Sequence, residues 1–82
     1  MTDMTDADRL QELEAQAEAA YTKMYDARGA TEAAARYSDA KEALYDAIGL
    51  AHSLGKADAV ARLEERLAHI KAVFRSQFAG IG

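Results

Sequence analysis

The chain has 82 residues, ten Lys and Arg against fourteen Asp and Glu for a formal net charge of -4, and neither cysteine nor proline. That length makes one domain, near the smallest that a single core supports without disulfides or metals. The acidic balance argues against holding bare nucleic acid by charge, and neither a signal-like apolar run nor the roughly 20 apolar residues of a membrane span is present, so a cytoplasmic protein is expected.

Half the residues are apolar, but many of these are alanine, which favours helix while burying little area. With β-branched residues scattered and no proline to interrupt a helix, the expected class is all-α. The first segment opens on Thr5 and Asp8, placed as a capping box. Leu10, Leu13, Ala17, Ala20, Met24 and Ala27 then recur at alternating steps of three and four, the seam of a helix packed along its length. Gly29 stands where a C-terminal cap falls, and Thr31 where the next helix is capped.

The second segment repeats the steps with Ala33, Tyr37, Ala40, Leu44, Ala47, Ala51 and Leu54, ending at Gly55. After Asp58 as the next candidate cap, the third runs through Val60, Leu63, Leu67, Ile70 and Phe74. The expectation is an up-down-up three-helix bundle of long helices at about 8–28, 32–54 and 58–78. The whole chain, 1–82, forms its single domain, with frayed ends at 1–6 and 79–82.

Register follows from numbering alone. Facing seam residues of the first two helices, from Leu10 with Ala51 to Met24 with Tyr37, have numbers summing to about 60 or 61, as antiparallel packing requires. The third seam lies 50 positions beyond the first, which makes those two helices parallel and stacks the core in layers. Leu13 and Leu63 then face Ala47, Leu44 and Leu67 face Ala17, and Met24, Tyr37 and Phe74 share a layer. The last layer, with Ala27, Ala33 and Gln77, needs Phe78 to supply bulk.

Charge is unevenly spread. Up to Ala20 there are six acids against Arg9, whereas from Lys56 onward five bases face three acids. An acidic first helix and a basic third one can neutralise each other side by side, or leave a basic docking surface. Arg62, Arg66, Lys71 and Arg75 wrap around the third helix with Glu64 and Glu65 among them, so a nucleic-acid surface is not expected.

Residues suited to chemistry are few. His52 beside Ser53 reads as a helix end, because neighbours on a helix point about 100° apart and a nucleophile needs its base within hydrogen-bond reach. His69 follows Glu65 by four, but a metal site wants three or four ligands. No catalytic, cofactor or metal residues are assigned, and no enzyme, cofactor or small-molecule substrate is expected. Tyr21 and Tyr37 belong to the core or its edge. Tyr25 and Tyr45 sit just after seam residues on sides the core leaves exposed, where a rigid ring can anchor a partner. Leu50 and Val73 flank their seams and extend that candidate partner-binding surface. Gly49 reads either as a tolerated surface glycine or as the close approach of another backbone.

The segment "ARYSDAKEALYDAIGL", 35–50, resembles the second half of a tetratricopeptide repeat, with Tyr37, Ala40, Leu44 and Ala47 in matching places. Its continuation "AHSLGKADAVARLEERLAHI", to residue 70, looks like the passage into a following repeat. Met24 and Arg28 stand where that family has an aromatic and a glycine, and His52 where it has proline. The resemblance implies a protein-binding scaffold, and one partial unit implies a second copy or a partner. The functional expectation is a non-enzymatic protein-protein interaction module, self-associating as a homo-oligomer or docking on a partner through its helix faces. The alternative is an acidic regulatory protein whose first helix masks a basic surface on an enzyme or toxin.

Overall fold

A computed structural model describes residues 5–79, which form three α-helices: α1 (Asp6–Tyr25), α2 (Ala30–Ser53) and α3 (Ala57–Phe74), followed by one π-helical turn (Arg75–Ala79). The fold is an all-α three-helix bundle. Thr5 caps α1 as its sequence position predicts, its Oγ1 accepting the Asp8 backbone N–H at 3.1 Å. The side chain of Phe78, expected to close the last layer, lies outside the described residues, as do residues 1–4 and 80–82, which hold most of the ends expected to fray.

The two turns are built differently, and only the second follows the expected glycine chemistry. Gly55 adopts φ +70°; its N–H donates to the His52 carbonyl and the Lys56 N–H to the Ala51 carbonyl, both at 3.0 Å. This is the paired arrangement by which a left-handed glycine ends a helix. Gly29 does not act this way. Its backbone is extended, with φ -162° and ψ 170°, and it starts α2 rather than ending α1. Its carbonyl takes the Ala33 N–H at 3.0 Å, while Glu32 reaches back to the Arg28 N–H at 3.4 Å. The α-helix α1 therefore ends at Tyr25 instead of Arg28, its last turn tightening so that Ala27 N–H meets the Met24 carbonyl at 3.2 Å. Thr31 falls inside α2. Likewise α3 starts from Lys56, leaving Asp58 in the first turn, where the helix dipole favours a carboxylate.

The seams form the core. Leu10, Leu13, Ala17, Ala20 and Met24 are buried on α1, and Val60, Leu63, Leu67 and Ile70 on α3. On α2 five of the six buried residues are alanine, with Leu44 the exception. Helix α2 packs closely against both neighbours, whereas close backbone approach between α1 and α3 is sparse and long side chains bridge the gap. Salt bridges join Glu14 to Arg62 and Glu18 to Arg66, both at a separation of 48 positions, so α1 and α3 run parallel. The predicted Met24–Tyr37–Phe74 layer is represented by the Tyr37 and Phe74 rings, stacked with centroids 4.0 Å apart and planes within 2°.

Alanine lets helices approach but fills little space, and the molecule is flattened. It spans 44 × 29 × 13 Å with a radius of gyration of 13.8 Å, against about 12 Å for a compact domain of this length. Helices α1 and α3 form the front, α2 lies behind them, and the back of α2 faces solvent. Among the described residues no helix is long and apolar enough to cross a membrane.

The glycines give a test of this geometry. At low micromolar concentration Gly55→Ala should lower stability in chemical denaturation by about 1 kcal/mol, because its φ is left-handed. Gly49→Ala should instead raise stability by up to about 1 kcal/mol, since Gly49 is mid-helix and an added Cβ meets nothing within 4 Å.

Candidate functional site: two aromatic and charged flanks of α3

Helix α3 has one flank turned toward α1 and another beside α2. At about 100° per residue, Lys71 lies some 140° from Arg66 and 160° from His69 around the axis. Side chains on these flanks meet different partners.

On the α1 side, Arg62 donates from Nη1 and Nη2 to the two Glu14 carboxylate oxygens at 2.5 and 3.2 Å. Arg66 grips Glu18 in the same two-pronged way, with Nε at 2.7 Å and Nη2 at 2.5 Å. The expected neutralisation of an acidic first helix by a basic third one is realised in these pairs. Both hold their guanidinium pKa above its ordinary value, the hydrogen bond to the carboxylate being the largest cause. The Arg66 guanidinium also lies 4.8 Å from the Tyr21 ring centre. Tyr21 meets the Tyr25 ring edge-on at 5.3 Å and the His69 ring at 6.3 Å, and its hydroxyl donates to Tyr25 at 3.4 Å. Between the two helices runs an open groove of about 600 Å³, with Leu44 and Leu63 in its apolar lining and the Arg-Glu pairs at its edges.

Beside α2, Lys71 Nζ donates to the Tyr45 hydroxyl at 2.9 Å and lies 5.4 Å from that ring's centre. Lys41 lies 4.5 Å from the centre of the Tyr37 ring, which stacks on Phe74. This is a cation-aromatic ladder along α2, with Tyr37, Lys41 and Tyr45 spaced by four. The Lys71 hydrogen bond, then its charge, lowers the Tyr45 pKa, and the same bond raises that of Lys71.

The four residues assigned to partner binding do not form one patch. Tyr25 and Tyr45 are exposed, at 50% and 51%, but Tyr25 joins the α1 side through Tyr21 and Tyr45 joins the other side through Lys71. The offset of 48 that pairs α1 with α3 sets Val73, half-buried, level with Tyr25. Leu50 is half-buried against the core. Sequence reasoning did not single out Arg66 with Glu18, nor the Lys41 and Lys71 contacts; the acid-rich first helix and basic third helix carried the signal for the former, and the four-residue spacing of Tyr37, Lys41 and Tyr45 for the latter.

Ser53 and His69 are engaged elsewhere. The Ser53 hydroxyl donates to the Gly49 carbonyl at 3.1 Å, a back-bond within its own helix. His69 faces the Tyr21 ring edge. Among the described residues no group of three or more His, Cys, Asp or Glu is placed to hold a metal ion.

The two flanks predict an order of ionisation. Burial, then the Tyr25 hydrogen bond, pushes the Tyr21 phenol up from about 10, whereas Lys71 brings the Tyr45 phenol down. In an absorbance titration at 295 nm, Tyr45 should lose its proton before Tyr21. Tyr45→Phe should remove the earliest step, Lys71→Met should move it back toward 10, and 1 M salt should narrow the gap because the Tyr45–Lys71 contact is open to solvent. The lowered Tyr45 pKa contributes stability above about pH 10, fading as pH falls through the folded value, whereas the raised Lys71 pKa contributes below about 10.4 and is lost as pH rises through its own.

Compared with protein-family models, curated proteins and solved structures, the chain has no match.

Proposed function

We propose that the chain is a non-enzymatic protein-protein interaction module, binding its own copies or another chain through helix faces that carry Tyr25 and Tyr45. The observation that carries this reading is the exposure of these two large aromatic side chains, each about half accessible, on a flattened bundle with a thin core. A phenol ring buries much area at small entropy cost when a partner covers it. Each ring is also held in place, Tyr25 against Tyr21 and Tyr45 by Lys71, so less freedom is lost on binding. An alanine-rich domain gains stability when additional surface is covered. The partial likeness to a tetratricopeptide repeat points the same way, since one such unit has a natural continuation in a second chain.

A regulator that masks a basic surface with its acidic first helix is a weaker reading. Glu14 and Glu18 are already held by Arg62 and Arg66, and Glu12 by Arg9 at 3.3 Å.

Sedimentation from low micromolar to near millimolar concentration tests self-association, and pull-down of a foreign chain tests the other arm. At least one of Tyr25→Lys and Tyr45→Lys, whichever face the bound chain covers, should weaken association at least about tenfold, roughly 1.4 kcal/mol, while the helical circular dichroism stays unchanged. Association indifferent to both replacements would overturn the assigned role of the tyrosines.

A further inference from the structure

Among the described residues the back of α2 has no partner, and its charges are sorted. At about 100° per residue, Lys41, Tyr45, Gly49, Glu42 and Asp46 follow one another around an exposed arc of roughly 140°. One margin of this arc is positive. Lys41 and Lys71 line it, and Arg75 is near enough to oppose the charge on Lys71. Among the described residues neither lysine has a salt-bridge partner, and Lys71's hydrogen bond goes to a phenol instead. Glu64 lies farther along this side, with His52. The other margin is negative: Asp39, Glu42 and Asp46 border a shallow groove with Gln16 of α1, and among the described residues only Asp39 has a cation, Arg36 at 3.1 Å.

Gly49 lies between these margins. An added Cβ would meet nothing within 4 Å, so the chain's own packing gives no reason for a residue that weakens the middle of a helix. A second backbone lying close against α2 would supply one.

We infer that the occupant of this face is a second copy of the chain, packed through α2 against α2 in a parallel two-fold pair with Gly49 at the close approach. The inference deepens the interaction-module reading and rests on it. Symmetry selects the orientation. When two copies are related by a two-fold axis parallel to their helices, the left margin of one faces the right margin of the other; an antiparallel pair sets like margins together. The parallel pair therefore opposes Lys41 and Lys71 to Glu42 and Asp46 of the second copy, twice over, with Tyr45 of each copy beside the seam. Because α3 lies along the positive margin and α1 along the negative one, α3 of one copy also faces acidic α1 of the other, repeating between chains the match that Arg62 and Arg66 make within one.

The experiment uses the full chain in two charge-reversed forms, Lys41→Glu with Lys71→Glu, and Glu42→Lys with Asp46→Lys. Glu42 and Asp46 are exposed and Lys41 and Lys71 half-buried, and circular dichroism checks that each form remains helical. Sedimentation should find a wild-type dimer weakened by salt, each reversed form at least about tenfold weaker alone, and dimers restored when the two forms are mixed. Gly49→Gln should likewise weaken the pair without loss of helix. A wild-type dimer that neither reversal alters would overturn this surface and leave the module reading in place. A wild type that is monomeric to near millimolar concentration would overturn the second copy as occupant, and the module reading would then stand or fall on binding of a foreign chain.

Discussion

The arrangement depends on the alanine face of α2. Ala33, Ala40, Ala43, Ala47 and Ala51 are buried there with Leu44, and small side chains let neighbouring helices approach closely. Fully burying a leucine contributes on the order of 2 kcal/mol and an alanine much less, so α2 organises the core without supplying much of its driving force. The bulk comes from outside it: Leu10, Leu13 and Met24 on α1, and Val60, Leu63, Leu67 and Ile70 on α3. A core built this way is specific in register and modest in volume, and the flattened shape is its consequence.

The bridges between α1 and α3 belong to a different energetic class. Glu14–Arg62 and Glu18–Arg66 are exposed pairs, of the kind that contributes about 0 to 1 kcal/mol each and weakens with salt. Their two-pronged geometry constrains direction as well as distance, so they fix the parallel alignment of helices whose backbones seldom come close. Arg66 adds the Tyr21 ring to its contacts, coupling that alignment to the aromatic cluster at the end of α1.

The same economy explains why the exposed tyrosines are separated. Helix α3 carries basic residues around much of its circumference and has acidic or aromatic neighbours on two sides. Its α1 flank is neutralised by glutamates, whereas its α2 flank meets phenols, which accept a hydrogen bond but leave the ammonium charge in place at neutral pH. One side of the molecule is therefore electrically closed, and the other keeps positive charge beside an aromatic surface. In an acidic chain that asymmetry gives the second flank a preference for carboxylates that the first lacks.

Much of the architecture was legible in the order of residues. Steps of three and four from Leu10 to Phe74 identify three helices, and their numbering sets the layers, down to the stacking of Tyr37 on Phe74. Exposure of Tyr25 and Tyr45 followed from their places beside the seams. These properties depend on helical periodicity, which is local. The ending of α1 at Tyr25 was not legible, because Gly29 can finish one helix or begin another and Glu32 reaching back to Arg28 decides between them. Nor was the division of Tyr25, Tyr45, Leu50 and Val73 among different faces. That depends on which side of α3 each neighbouring helix occupies, a choice that the apolar repeat leaves open and that packing around the alanine face of α2, with the charged pairs to α1, resolves.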